Sequence, residues 1–125
     1  MPDAAALYGH AQLIVKVKEP IAPEYDLLRP GHVLFSYLHL AAVPELARVL
    51  IQKGLTAVAF ETVSVKGRLP LLAPMSEIAG RLAVQIGAHL LHAPQGGRGV
   101  LLGGRPGTEH GRVVVLGAGE AGGAA

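Results

Sequence analysis

Three short apolar runs recur along the first part of the chain, and a helical pattern separates the second from the third. The runs are QLIVKVK (12–18), HVLFSYLH (32–39) and TAVAFETV (56–63). The intervening helix is predicted to begin at Pro44 and to end at Gly54, with its apolar residues on one face. Strands that alternate with helices in this way are typical of a parallel sheet with crossover helices. The sequence therefore predicts an α/β fold with a partial open parallel sheet.

The second part of the chain predicts a long helix, a glycine-rich loop and a fourth strand. Ser76 is placed to cap the helix, and apolar residues recur every four positions as far as Pro94. The segment QGGRGVLLGGRPG (95–107) contains too many glycines for regular structure and predicts a loop. VVVL (113–116) then predicts the strand.

A glycine pattern follows this fourth predicted strand directly. Gly117, Gly119 and Gly122 have the GxGxxG spacing with which a dinucleotide-binding unit begins. In that motif the first glycine permits the turn, the second lets the backbone approach a pyrophosphate, and the third packs the helix on the strand. The acidic residue that binds the ribose is expected about 20 residues later, past the last residue of this sequence. The pattern favours a phosphate-binding turn for a dinucleotide.

Three polar residues come at nearly equal intervals, each at the predicted carboxyl end of a strand. They are Lys18, His39 and Glu61. In open parallel sheets, ligands bind outside the carboxyl ends of the strands, so these side chains are expected to converge on one edge. Lys18 could bind a substrate carboxylate, His39 could transfer a proton near neutral pH, and Glu61 could hold one of the other two.

Each of these residues also has a purely structural interpretation. Lys18 could be a surface lysine, since Lys16 lies on the same face and either could be the free one. His39 could be a core histidine that is hydrogen-bonded to backbone, and Glu61 could cap a strand end. Position alone leaves these alternatives open.

Composition excludes several classes of site. There is no Cys, which removes disulfides, thiolate nucleophiles and Cys-based zinc sites. The 11 basic and 9 acidic residues are interspersed, so we expect no nucleic-acid partner. No stretch approaches the ~18 apolar residues of a membrane span, so we expect a cytoplasmic protein without membrane contact. His89 and His92 form an H-x-x-H pair without a third ligand, so we expect no metal.

Six stretches in collinear order resemble the bacterial L-alanine dehydrogenase family, which also includes the pyridine nucleotide transhydrogenases. The resemblance covers nearly the whole chain. The stretches are KVKEP (16–20), LLRPGHVLFSYLHLAAVPEL (27–46), FETV (60–63), LPLLAPMSEIAGRLAVQIGAHLL (69–91), GGRGVLLGG (96–104) and VVVLGAGEAG (113–122).

The resemblance implies an NAD-dependent enzyme that interconverts L-alanine with pyruvate and ammonia, in full-length members that assemble as homohexamers. In KVKEP the family's substrate-binding lysine falls on Lys18, and in YLHLAA its catalytic histidine falls on His39. Lys18 is expected to act in both binding and catalysis. The resemblance further implies substrate contacts from Met75 and Glu61, and cofactor contacts from Ser76, Gly117, Gly119 and Gly122.

The same resemblance divides the chain into residues 1–73, a partial substrate domain, and residues 74–125, which would form a junction helix, a glycine-rich loop and the start of a Rossmann-type NAD domain. Family segments that precede Met1 and follow the glycine turn have no counterpart here. One of them holds an arginine that binds the substrate carboxylate. We therefore expect a chain truncated at both ends that has negligible turnover by itself.

Two alternatives remain at this point. One is the nucleotide-binding subunit of a proton-translocating transhydrogenase, in which the segments that match KVKEP and LHLAA look different. The other is a non-enzymatic product of a truncated or frameshifted reading frame, which would at most dock onto full-length subunits.

Overall fold

The computed structural model describes residues 3–125. The chain divides into two compact units, Met1–Leu71 and Leu72–Ala125. The predicted domains, residues 1–73 and 74–125, and the functions assigned to them stay predictions. The first unit contains α1 (Ala4–His10), β1 (Leu13–Val15), β2 (Val33–Ser36), α2 (Pro44–Lys53) and β3 (Thr56–Ala59), and the second contains α3 (Ala73–Leu90) and α4 (Glu120–Ala124).

The three strands form one open parallel sheet in the order β1-β2-β3, which confirms the predicted α/β class. The strands end earlier than the apolar runs that predicted them. Backbone pairing continues only slightly past β1, where the N–H of Tyr37 donates to the carbonyl of Val17 at 3.1 Å. After β2, the chain leaves the extended conformation at His39, which adopts a positive φ of 47°. After β3, it enters a 3₁₀ turn at Phe60–Thr62.

A small apolar core lies on one face of the sheet. Ile14 and Leu34 point to this face from adjacent strands, and Leu46 and Leu50 of α2 pack against it. The other members of the cluster are Tyr8, Leu28 and Leu38. Because alternate residues of a strand point to opposite faces, the sheet has one covered face within this unit.

The helix between β2 and β3 forms as predicted. Pro44 is at its first position, and Gly54 ends it with a left-handed φ of 64°. At this position a residue with a Cβ would be strained, so the glycine defines the end of the helix.

Helix α1 is not evident in the apolar pattern. Asp3 caps it, with the N–H of Ala6 donating to Asp3 Oδ1 at 2.8 Å.

Helix α3 begins before the predicted cap. Leu72 is the residue that precedes its first turn, so the prediction that Ser76 caps the helix is wrong. Pro74 explains the earlier start, because proline fits the first turn, where backbone N–H groups have no helical acceptor. The helix ends at Leu90, short of Pro94. Its contact with α4 is close, since a Cβ on Gly80 would overlap the carbonyl oxygen of Ala121.

The fourth predicted strand is absent. Residues 113–116 follow an irregular path, and within residues 3–125 no strand pairs with them. A strand needs a hydrogen-bonded neighbour, which an apolar sequence alone does not supply. The side chains of Val114 and Leu116 are 79% and 92% exposed.

No helix of residues 3–125 is both long enough and apolar enough to cross a membrane.

Replacing Leu46 with Ala tests the core on α2. The Leu46 side chain is fully buried, so we expect the free energy of unfolding to fall by about 2–5 kcal/mol, from lost burial and the cavity left behind. Ile51→Ala on the same helix is the control, because Ile51 is 80% exposed and its loss should cost less than about 0.5 kcal/mol. Urea titration followed by far-ultraviolet circular dichroism measures both. Equal destabilisation by the two substitutions would contradict this core.

Candidate active site

The carboxyl edge of the sheet brings together residues that follow all three strands. Lys18 and Glu19 follow β1, His39 follows β2 and Glu61 follows β3. The parallel pairing of the strands places these positions at one edge, as the sequence predicted.

Lysines 16 and 18 have different environments. Lys16 is ion-paired with Glu24, whose carboxylate also accepts from the Tyr8 hydroxyl at 3.1 Å and from the backbone N–H of Ile21 at 2.8 Å. Lys18 is exposed and forms no hydrogen bond or ion pair with any residue in the described range 3–125. Of the two lysines, Lys18 is therefore the one with a free ammonium group.

Glu61 reaches from β3 to the turn after β2. Its Oε1 accepts from the backbone N–H of His39 at 2.7 Å and from that of Leu38 at 3.1 Å, and its Oε2 lies 3.2 Å from the Leu38 nitrogen. Burial raises the pKa of Glu61, but the N–H groups of Glu61 itself, His39 and Leu38, together with the nearby imidazole, outweigh burial and hold this pKa below its ordinary value. Glu61 is thus ionised at neutral pH. Its predicted substrate contact stays a prediction.

His39 occupies a turn that is hydrogen-bonded on both sides. Its carbonyl accepts from the N–H groups of Ala42 at 2.8 Å and Val43 at 3.0 Å, just before α2. Its ring stacks on that of Tyr37, with centroids 5.8 Å apart and planes 11° apart. The Tyr37 hydroxyl donates to the carbonyl of Leu71 at 2.6 Å, which fixes that ring in turn. The imidazole is therefore oriented and still partly accessible.

A second carboxylate faces the imidazole from the segment that follows β1. Glu19 Oε2 lies 3.8 Å from His39 Nε2, is buried, and has no hydrogen-bond partner among the described residues. Because Glu19 directly follows Lys18, this contact links the segment after β1 to His39. A cavity of about 400 Å³ borders His39 and Glu61. Its size suits a small molecule.

Sequence reasoning missed Tyr37 and Glu19 as neighbours of the histidine. Both had a signal in the sequence. Tyr37 comes two residues before His39, and in extended chain such residues face the same side. Glu19 lies between Lys18 and Pro20. Proline restricts the backbone of the residue before it, which limits the directions that the Glu19 side chain can take.

The remaining predicted site residues lie in the second unit. Met75 and Ser76 are in the first turn of α3, with Met75 44% exposed. Gly117 and Gly119 lie in the turn that leads into α4, and Gly122 lies within α4. A cavity of about 500 Å³ lies between α3, at Glu77 and Arg81, and the segment from this turn into α4, at Gly119 and Gly123.

Backbone geometry supports a phosphate-binding turn at these glycines. Gly117 has a φ of 110°, which residues with a Cβ rarely adopt. A Cβ on Gly122 would overlap the carbonyl oxygen of Gly117, whereas Gly119 has open space beside it. The three positions match the demands of the motif for a turn, an approachable backbone and a close contact. The local geometry thus fits a dinucleotide, although the strand that usually precedes the turn is absent.

Within the described residues, no group of three or more His, Asp or Glu side chains is arranged to hold a metal ion. The rings of His89 and His92 lie 6.1 Å apart at the end of α3. That these two histidines bind no metal stays a prediction.

Two family models match the chain in succession. The N-terminal domain of the alanine dehydrogenase/PNT family matches residues 1–79, and the C-terminal domain of that family matches residues 83–125.

Several curated proteins are similar over most of the chain. The alanine dehydrogenase of Bacillus subtilis is 57% identical over 112 residues, which are 90% of this chain and 30% of that protein. That of Mycobacterium tuberculosis strain H37Rv is 57% identical over 120 residues, covering 95% of this chain and 32% of its own length. The Methanococcus maripaludis protein is 50% identical over 123 residues, covering 98% and 33%. The chain thus spans about a third of the length of the relatives it matches.

A solved structure of L-alanine dehydrogenase has the same fold. It superposes with a TM-score of 0.86 at 54% sequence identity and covers 99% of this chain and 34% of its own. The resemblance seen in the sequence is confirmed by these matches, and the chain belongs to the alanine dehydrogenase/PNT family.

Proposed function

We propose that this chain carries the substrate-binding edge of an NAD-dependent alanine dehydrogenase, which interconverts L-alanine with pyruvate and ammonia. The observation that supports this proposal best is the placement of His39 at the carboxyl edge of the sheet, in the turn after β2, which pairs with the strand that leads to Lys18. Relatives named alanine dehydrogenase, at 50–57% identity, support the choice of substrate.

The free ammonium group of Lys18 suits recognition of a carboxylate. Both L-alanine and pyruvate carry one, and an exposed lysine with no partner among the described residues can offer its charge to that carboxylate. The imidazole of His39 suits proton transfer to and from the substrate, because histidine is the side chain that most often serves as a general acid or base and this ring stacks on that of Tyr37. Met75 is proposed as a further substrate contact.

The glycine turn and Ser76 are proposed to hold NAD. When bound, this cofactor accepts a hydride from the substrate carbon or donates one to it. Gly117 and Gly122 shape the turn, and the open space beside Gly119 lets the backbone approach the pyrophosphate. Full-length members are proposed to assemble as homohexamers.

Activity is tested in a chimera in which the aligned residues of this chain replace their counterparts in the Bacillus subtilis enzyme. We expect the chimera to oxidise NADH when given pyruvate and ammonium. His39→Gln should lower kcat by about 100-fold or more, because proton transfer is lost. Lys18→Met should raise the KM for pyruvate by about 10-fold or more, because a charged hydrogen bond is lost. The 125-residue chain alone should show negligible turnover.

Matched controls are His110→Gln and Lys53→Met. His110 is exposed in a loop, and Lys53 faces the fully exposed Asp26 at 3.8 Å, so both variants should retain activity. A folded chimera that oxidises no NADH would contradict the proposed function and favour a non-enzymatic product. A His39→Gln chimera with unchanged kcat would contradict the role of that residue.

The glycine turn is tested by Gly122→Ala in the same chimera. A Cβ at this position would overlap the carbonyl oxygen of Gly117, so the turn must open and NADH should bind about 10-fold more weakly or worse. Gly103→Ala, in the glycine-rich loop, is the control, since no atom lies within 4 Å of its added Cβ. Titration of NADH fluorescence measures affinity without turnover. Equal affinities for both variants would show that the turn does not hold the cofactor.

A further inference from the structure

We propose that Glu61 is a positioning residue that acts on the reaction through the backbone of His39, and that it does not contact the substrate. The proposal rests on the proposed function, in which His39 transfers the proton. Its basis is the set of hydrogen bonds from the N–H groups of Leu38 and His39 to the Glu61 carboxylate, between positions far apart in sequence.

These two N–H groups lie past the end of regular pairing between β2 and β3. The last paired residues are Ser36 and Ala59, so the sheet no longer supplies backbone acceptors on this side. The carboxylate of Glu61, on the 3₁₀ turn that follows β3, takes over as the acceptor. The Glu61 side chain thereby connects the segments that follow β2 and β3, where backbone hydrogen bonds between the two strands have ended.

The conformation of His39 makes this support necessary. Its φ of 47° lies in the left-handed region, which is unfavourable for a residue with a Cβ. Glu61 accepts from its N–H at 2.7 Å, while the N–H groups of Ala42 and Val43, just before α2, donate to its carbonyl. Such a conformation persists only where surrounding contacts specify it, and hydrogen bonds to an ionised acceptor are among the stronger ones. The direction of the imidazole from this turn follows from the backbone angles.

Geometry also separates this role from direct substrate binding. Oε1 of Glu61 accepts from two backbone N–H groups and Oε2 lies near one of them. A negative charge beside the site would repel the carboxylate of L-alanine or pyruvate if it faced that group directly. Engagement with backbone donors offsets this charge and leaves Lys18 as the group that attracts the substrate.

Steady-state kinetics of Glu61→Gln in the Bacillus subtilis chimera tests the proposal. We expect kcat to fall about 10-fold to 100-fold with the KM for pyruvate within about twofold, because the proton-transfer group is displaced while substrate binding is kept. Glu61→Asp keeps the charge but shortens the reach, and should recover part of kcat. Glu45→Gln, an exposed glutamate on α2, is the matched control and should keep both parameters.

A rise in the KM for pyruvate with kcat unchanged would show that Glu61 contacts the substrate and would overturn the proposal. Unchanged kcat and KM would overturn it as well. Thermal unfolding of each variant shows whether it is folded at the assay temperature, and Glu61→Asp supplies the kinetic comparison if Glu61→Gln is not.

A second measurement does not depend on turnover, and therefore separates failure of this proposal from failure of the proposed function. In the 125-residue chain, the stacked ring of Tyr37 should shift the NMR signals of the His39 ring protons. We expect Glu61→Gln to change these shifts together with the amide signals of Leu38 and His39, and Glu45→Gln to leave them in place. His39 signals unaffected by Glu61→Gln would overturn the positioning role even in an active enzyme.

Discussion

Parallel pairing of three short strands is the constraint on which the candidate site depends. Because β1, β2 and β3 run in one direction, the segments that follow them emerge at the same edge of the sheet. Lys18, His39 and Glu61 are separated in sequence, yet each follows one of these strands. The core of Ile14, Leu34 and residues of α2 holds the sheet on one face and thus maintains this arrangement.

The edge is organised by hydrogen bonds that replace the ladder where it ends. Glu61 binds the backbone of the His39 turn, α2 begins on the other side of the same turn, and Tyr37 stacks on the imidazole. Glu19 places a second carboxylate near Nε2 of the ring. The catalytic role proposed for His39 therefore depends on neighbours from three segments, which distinguishes it from an isolated surface histidine.

Much of this fold could be predicted from local patterns. Apolar runs identified the three strands, and Pro44 and Gly54 marked the ends of α2, because these signals act within a few residues. The ends of the strands could not be predicted. Local signals existed for Tyr37 and Glu19, but these signals do not specify the contacts that the two residues make, since each contact depends on a residue from another segment. The prediction of a strand at residues 113–116 was wrong for the same reason. Their apolar pattern predicts a strand, but a strand also requires a neighbouring strand with which to form hydrogen bonds.

The central claim is that Lys18 and His39 serve one substrate at the carboxyl edge of the sheet. A crystal structure of the chimeric enzyme with bound pyruvate tests it most directly. We expect the pyruvate carboxylate within hydrogen-bond distance of Lys18 Nζ and its carbonyl oxygen within reach of the His39 ring. Pyruvate bound away from this edge, or Lys18 and His39 directed to opposite faces of the sheet, would contradict the account.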